Sequence, residues 1–452
     1  MSKIVLIAIC FFVMAHHHLQ AQTGSNKHFQ YTFGGAKKDI LYSSIEADDK
    51  GFVSIGYTES FGAGNFDMYV IKNDSEGKLE WSKTYGGPKE DYGRSLVKSQ
   101  DGQGYLLLGY SNSFSENSYY DIYLVKIDLK GDTLWSRYYG LDRSEYGYSI
   151  IATKDGGYML LGEVINNING EKNADVMLVK ISATGDFEWS KIYGGNLTDY
   201  LYSIEQLEDG SYLMGGETNS FGAGEWDFLT VRIDETGKLL LAKTFGALLT
   251  DYGRFATSTP DGGILVGGNS FNFGVGDMDF VLVKTDKDGK IEWSQSYGDE
   301  GAEYMLDIKK APDKSGYFIS GYTNSFGSRV EDIYLLSLRN DGKINWAKTI
   351  GGEFGDYGVS VLSTSDNSVI VTGNTKSFGV KSDDCFIFKV ESKVSRNLCN
   401  SFIIRPITQS FLKIQSSDAR LYELETHIVD HRVPTITSRV ETSEQKLCTE
   451  EK

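Results

Sequence analysis

Trp81-Ser82-Lys83-Thr84-Tyr85-Gly86-Gly87-Pro88-Lys89-Glu90-Asp91-Tyr92-Gly93 decides the fold, because its centre recurs along the chain. The other copies are Phe33-Gly34-Gly35, Tyr139-Gly140-Leu141, Tyr193-Gly194-Gly195, Phe245-Gly246-Ala247, Tyr297-Gly298-Asp299 and Ile350-Gly351-Gly352. Measured at the first Gly, the spacing is 52 to 54 residues, and there are seven copies. A fixed period of this length is the mark of a repeat architecture. Working outward, each copy runs from an acid such as Asp91 to an Asp-Gly turn such as Asp101-Gly102 and an apolar run such as Tyr105 to Gly109. A polar loop like Thr218-Asn219-Ser220-Phe221-Gly222 follows, then an Asp-led run such as Asp121 to Asp128 and a Gly turn. Trp81, Trp135, Trp189, Trp293 and Trp346 close five copies, and Leu241 stands in once.

Runs of six to eight β-formers between Asp, Gly and Asn turns, with no 3.6-residue period, predict four short strands per copy. Tyr105-Leu106-Leu107-Leu108 and Ile122-Tyr123-Leu124-Val125 are apolar at every position, so both of their faces need cover. Radially packed blades supply it, and the expected fold is all-β: a seven-bladed β-propeller of four-stranded blades. The seventh copy ends after three strands, while His28-Phe29-Gln30-Tyr31-Thr32-Phe33 aligns with Trp81 to Tyr85 as an orphan fourth strand. The sequence therefore predicts that the N-terminal strand closes the ring, which removes an aggregation-prone edge.

The Trp81 to Gly93 run, followed by Asp101-Gly102 and Gly109-Tyr110-Ser111, resembles the bacterial seven-bladed propeller repeats known as SBBP repeats. The Asp-x-x-Gly-x-x-x-Trp ending, as in Asp74 to Trp81, is similar to the quinoprotein dehydrogenase-like propellers. The resemblance spans residues 28 to about 391 and implies a fold and a secreted bacterial setting, but no particular activity.

Lys3, the apolar run Ile4 to Ala15 and Leu19-Gln20-Ala21 before Gln22 read as a secretory signal peptide, residues 1–21. His16, His17, His18 and Cys10 fall inside it. The propeller is expected over 22–391 and a C-terminal extension over 392–452. That extension has no Gly or Trp and carries β-like stretches at Ser401 to Ile414 and Thr426 to Val440, so it reads as an appended β element or a loose tail. Of Cys385, Cys399 and Cys448, an oxidising compartment permits one pair, with Cys399–Cys448 the expected one. The 452 residues carry a net charge of −17, and residues 22–391, with 35 basic and 54 acidic groups, hold all of the excess. Such a field repels nucleic acid and anionic membrane surfaces. A soluble monomer without membrane insertion is expected.

A residue repeated seven times speaks first for the repeat, since a catalytic site needs one set of groups. The closing Trp residues thus read as anchors between blades. The acids Asp39, Asp91, Glu145, Asp199, Asp251, Glu303 and Asp356 open the innermost strands, where they accept hydrogen bonds from turn amides or, alternatively, form a calcium-binding ring at the channel mouth. The c-strand acids Asp67, Asp121, Asp175, Asp227, Asp279, Asp332 and Asp384 carry the same two readings. Beyond that weak ring no metal and no cofactor is expected, and no catalytic residue is assigned. His28, His427 and His431 are the only mature histidines, which leaves no Ser-His-Asp arrangement within the repeats. The expected function is a secreted, non-catalytic binding module for a protein or glycan outside the cell. The competing reading is a carbohydrate-active enzyme working with paired carboxylates. Ligand binding is expected where the copies differ: at Tyr119 and Tyr120, at the altered loop Asn166 to Asn173, and at Trp226.

Overall fold

The computed structural model describes residues 29–391, apart from 116, 169, 170, 329 and 381, together with seven short strands between 402 and 449. Residues 1–21, where a signal peptide is expected, Cys399 and His427 lie outside the described residues. Every described regular element is a β-strand, and the strands form seven sheets in a propeller. Blades 1 to 6 span residues 39–86, 91–140, 145–194, 199–246, 251–298 and 303–350, each with four consecutive antiparallel strands. Blade 7 takes three strands from residues 356–391, and the fourth place in its sheet is held by Phe29–Gly34, paired antiparallel with Asp384–Glu391.

The middle strands are covered on both faces, as their composition demands. Leu106, Leu108, Ile122 and Leu124 of blade 2 pack against Tyr158, Leu160, Met177 and Val179 of blade 3 in one cluster. The closing Trp residues reach across the blade boundary, with Trp81 against the turn at Gly131, Trp135 against Gly185 and Trp293 against Gly342. Tyrosines from the same outer strands tie those turns down, as Tyr85 and Tyr297 donate to the carbonyls of Gly131 and Gly342 at 2.7 Å each. In the Ser-Phe-Gly loops, Gly62 and Gly222 take φ of +106° and +115°, a region that only glycine enters without strain.

Each first strand carries a bulge against the second. Glycine on the second strand makes room for it: a Cβ at Gly109 would sit 1.6 Å from the Tyr92 carbonyl oxygen. Gly109→Ala is therefore expected to cost about 3 kcal/mol, read as a lower unfolding midpoint in urea.

Blade 3 departs from the expected loop. Its second and third strands, Tyr158–Ile168 and Glu171–Ile181, continue as a hairpin in which Asn166 pairs with Asn173, so these residues lie on strands. The reason is local: the copy lacks Ser-Phe-Gly, and a β-permissive run, Val164-Ile165-Asn166, replaces it.

The C-terminal segment also differs from two long β stretches. It lays one short strand on the outer edge of every blade, making all seven sheets five-stranded. These strands are Phe402–Ile403 on blade 6, Thr408–Phe411 on blade 5, Gln415–Asp418 on blade 4 and Tyr422–Thr426 on blade 3. Val429–Arg432, Ile436–Arg439 and Ser443–Thr449 follow on blades 2, 1 and 7. Cys448 stands opposite Gln30 on the last of them, and Cys385 is a buried free thiol.

Candidate functional site

The first strand of each sheet lies beside the first strands of its neighbours, and these strands wall the axial channel. Their opening acids do not face it. All seven are fully buried, and each accepts the amide four residues upstream, as in Gly35 N to Asp39 Oδ2 at 2.7 Å and Gly195 N to Asp199 Oδ2 at 2.7 Å. Serine or threonine hydroxyls complete most of them, for example Ser60 on Asp39 at 2.8 Å and Ser220 on Asp199 at 2.8 Å. The c-strand acids hold the next loop in the same way: Asp227 Oδ2 accepts from Ala223 N and Gly224 N at 2.9 and 3.0 Å. Burial raises the pKa of these carboxyls, to about 6 for Asp91, Asp251 and Asp279. These contacts answer to the turn-holding reading. Among the described residues, no group of three or more His, Cys, Asp or Glu side chains is arranged to hold a metal ion.

Side chains one residue further on face inward, as the second residues of the seven first strands: Tyr92, Tyr146, Tyr200, Tyr252, Tyr304 and Tyr357 stay partly exposed, and Ile40 is buried. On the adjoining strand, their register partners are Tyr57, Tyr110, Glu163, Glu217, Asn269, Tyr322 and Asn374. Below them sit the residues that the bulge leaves unpaired, among them Tyr42, Arg94, Tyr148, Tyr202 and Arg254. A bulge re-aims a side chain, and here it delivers two arginines to the channel beside two glutamates.

Arg94 is held by aromatic faces, 4.0 Å from the Tyr42 ring centre and 5.4 Å from that of Tyr110, whose hydroxyl accepts from Nη2 at 2.9 Å. Arg254 lies 5.3 Å over Tyr202, and the Tyr202 hydroxyl donates to Glu217 Oε1 at 3.0 Å. Tyr148, ring to ring with Tyr202 at 5.8 Å, hydrogen-bonds Glu163. Glu163 and Glu217 are only 7% and 5% exposed; burial pushes their carboxyls up to about 7, while Arg94 and Arg254 respectively pull them down. Near neutral pH either carboxyl can both donate and accept. Four polar atoms of this set, Arg94 Nε, Glu163 Oε2, Glu217 Oε2 and Arg254 Nε, are buried without a protein partner.

Above this polar layer the mouth is aromatic. Tyr120 lies 5.5 Å from Tyr110 and 5.2 Å from Tyr146, and Trp226 stacks on Tyr200 at 5.8 Å with 4° between the planes. Of the residues singled out by sequence, Tyr120 and Trp226 thus join the rim of the channel, whereas Tyr119 is 42% exposed and contacts none of these rings. The polar set was missed from sequence. The position that pairs with the second residue of the first strand reads Tyr, Tyr, Glu, Glu, Asn, Tyr, Asn around the ring, and that variation was its signal. At the far end of the first strands a cavity of about 650 Å³, lined in part by Glu205, Thr257, Asp307 and Lys310, is spanned by a Lys310–Glu205 ion pair of 2.6 Å.

No family model matches the chain. An uncharacterized protein of Aquifex aeolicus (strain VF5) is 27% identical over 207 residues, covering 44% of this chain and 54% of its own length. The chain thus matches about half of that relative. Solved structures with a similar course include puromycin hydrolase, at 12% identity and a TM-score of 0.46 over 75% of this chain and 51% of its own. A periplasmic gluconolactonase of Pseudomonas aeruginosa gives 12%, 0.45, 73% and 97% on the same measures. A glucose dehydrogenase gives 12%, 0.37, 67% and 96%. The chain's own sheets make it a seven-bladed β-propeller with a fifth strand on the outer edge of every blade.

Proposed function

We propose that this chain is a secreted binding propeller of the SBBP-repeat kind, which takes the end of a glycan into the aromatic mouth of its axial channel. The observation that carries the reading is the set of four buried polar atoms without protein partners, two on arginines and two on buried glutamates, under a rim of tyrosines. A sugar ring meets all of these demands together. Its hydroxyls donate to Glu163 and Glu217 and accept from Arg94 and Arg254, while its C–H faces lie on Tyr120, Tyr146, Tyr200 or Trp226. A purely apolar ligand would leave the four atoms unsatisfied at a cost of about 1–3 kcal/mol each. The leader expected at residues 1–21 supports a place outside the cytoplasm, and no calcium requirement is proposed, because the repeated acids already hold loop amides.

The test is a glycan-binding screen on the mature protein with and without calcium, with release of reducing sugar followed in parallel. Binding without turnover is expected, unchanged by chelator. Glu217→Gln and Arg94→Gln should each weaken it at least about tenfold, the effect of losing one buried charged hydrogen bond. Trp226→Ala should also weaken binding, and Tyr119→Ala should leave it unchanged. If the two channel variants bind as tightly as the parent, the ligand sits elsewhere. Release of reducing sugar that is lost in Glu163→Gln would replace this reading with the enzymatic one.

A further inference from the structure

The outer edges of seven sheets would each present unpaired N–H and C=O groups, an invitation to association. One segment of this chain covers them all. From the second onward its strands begin at Thr408, Gln415, Tyr422, Val429, Ile436 and Ser443, one every seven residues. Those residues stand opposite Gly298, Gly246, Gly194, Gly140, Gly86 and Gly34, the same site in each successive sheet. Seven extended residues reach at most about 24 Å, enough for a four-residue strand and the step to the next blade. The segment is therefore a strap measured in blades, running once round the ring against the order in which the blades were laid down.

Its last station differs from the others. Ser443–Thr449 is the longest strap strand, and its partner, Phe29–Gly34, is the one fourth strand among the seven sheets that does not follow its own sheet in the chain. Nothing covalent within blade 7 holds that strand in place. It makes five residue pairs with Asp384–Glu391 on one side and six with the strap on the other.

We propose that the 402–449 segment is a lock on ring closure. It turns the seam strand Phe29–Gly34 from an edge strand into an interior one and ties it, through a continuous strap, to the six other blades. An edge strand peels away by breaking one ladder, whereas this one must break two, and the strap must release first. The strap's last described station pairs directly with the seam strand, so the rate of ring opening is set there.

Chains ending at residue 442 and at residue 428 test the lock, read by hydrogen exchange of backbone amides and by unfolding rate in denaturant. Ending at 442 should speed exchange in Phe29–Gly34 at least tenfold and unfolding by a similar factor, with Leu79–Gly86 and Thr133–Gly140 unchanged. Ending at 428 should expose those two strands as well and leave Phe187–Gly194 protected, because the stations are lost in the order of blades 7, 1 and 2. Unfolding of the 442 chain at the parent's rate would overturn the proposal. The untouched protein supplies a second measurement should the shortened chains fail to fold. In it, Phe29–Gly34 should exchange as slowly as Asp384–Glu391, and exchange at the rate of a free edge would equally overturn the lock.

Discussion

Deleting residues 22–34 should lower the melting temperature by at least about 10 °C and drive the protein into oligomers. The strand Phe29–Gly34 contributes more than pairing. Phe29 and Phe33 are fully buried and Tyr31 nearly so, in one cluster with Leu41, Phe52, Tyr69 and Ile71 of blade 1 and Ile370, Cys385 and Ile387 of blade 7. These rings fill the boundary between the first and last blades, and each is worth about 2–3 kcal/mol on transfer from water. Their removal leaves a cavity at that boundary and frees both the edge of Asp384–Glu391 and the strap strand Ser443–Thr449 to pair with other molecules. Phe33→Ala, which keeps the strand, should cost about 3–5 kcal/mol without association. Size-exclusion chromatography and thermal unfolding of the two variants separate these effects. A deletion variant as stable and as monomeric as the parent would show that blade 7 needs only its own three strands.

The repeat was legible because its grammar is local. Asp-Gly and Ser-Phe-Gly mark turns where Gly102 and Gly222 take a positive φ, and Gly86 ends a strand where a Cβ would meet the Asp91 carboxylate, so blade number and strand order follow from such residues. The seven opening acids were legible as turn-holders for the same reason. The strap was harder to read, since its stations are mostly four residues long and pair on one edge only; its mark in the sequence is the apolar residue ahead of successive stations, Ile407, Ile414, Leu421 and Ile428, seven apart. The channel set escaped for a different reason. Arg94 and Arg254 sit at the residue a bulge ejects, and Glu163 and Glu217 sit in runs that otherwise read as buried strand, so only the ladder register brings them together. Tyr120 and Trp226 could be picked out because they break the repeat, whereas Tyr119, which breaks it equally, lies outside the rim.

Acidification should stabilise this protein before it destabilises it. Burial raises the carboxyls of Asp91 and Asp384 to about 6, Asp121 and Glu303 to about 7, and Glu145 to about 9. For such groups the unfolded chain gives up its proton near pH 4 while the folded chain keeps it. Their stabilising effect is fully present below about pH 4 and is lost as pH rises through the raised values. Asp101, Asp155, Asp261 and Asp366 go the other way, held at about 2, with bonds from Lys126, Lys180, Lys284 and Lys389 among the causes, so stability falls once pH drops below about 4. The melting temperature should therefore peak near pH 5 and decline toward pH 8.

Glu145 should dominate that decline, and blade 3 shows why. In five of the six other copies, the acid also accepts a hydrogen bond from a hydroxyl at the end of the second strand, Thr58, Thr218, Ser270, Thr323 or Thr375, and Ser111 stands in the same place opposite Asp91. Opposite Glu145 that place is taken by Val164. Glu145 Oε2 accepts only the Leu141 amide, at 3.1 Å, and Oε1 is buried without a partner, with Asp121 adding repulsion. Val164→Thr supplies the missing donor in nearly the same volume, which favours the ionised form and lowers the folded-state pKa. By linkage the gain must be absent at pH 4.5, where the carboxyl is largely protonated in the folded protein with or without the hydroxyl, and must grow toward pH 9. The expected result is a melting temperature higher by several degrees at pH 8, a few kcal/mol at most by the ~1.4 kcal/mol carried by each pKa unit, with none at pH 4.5. An equal shift at both pH values would mean that the hydroxyl acts through packing, and no shift at either would mean that Glu145 already has a partner that the geometry of blade 3 conceals.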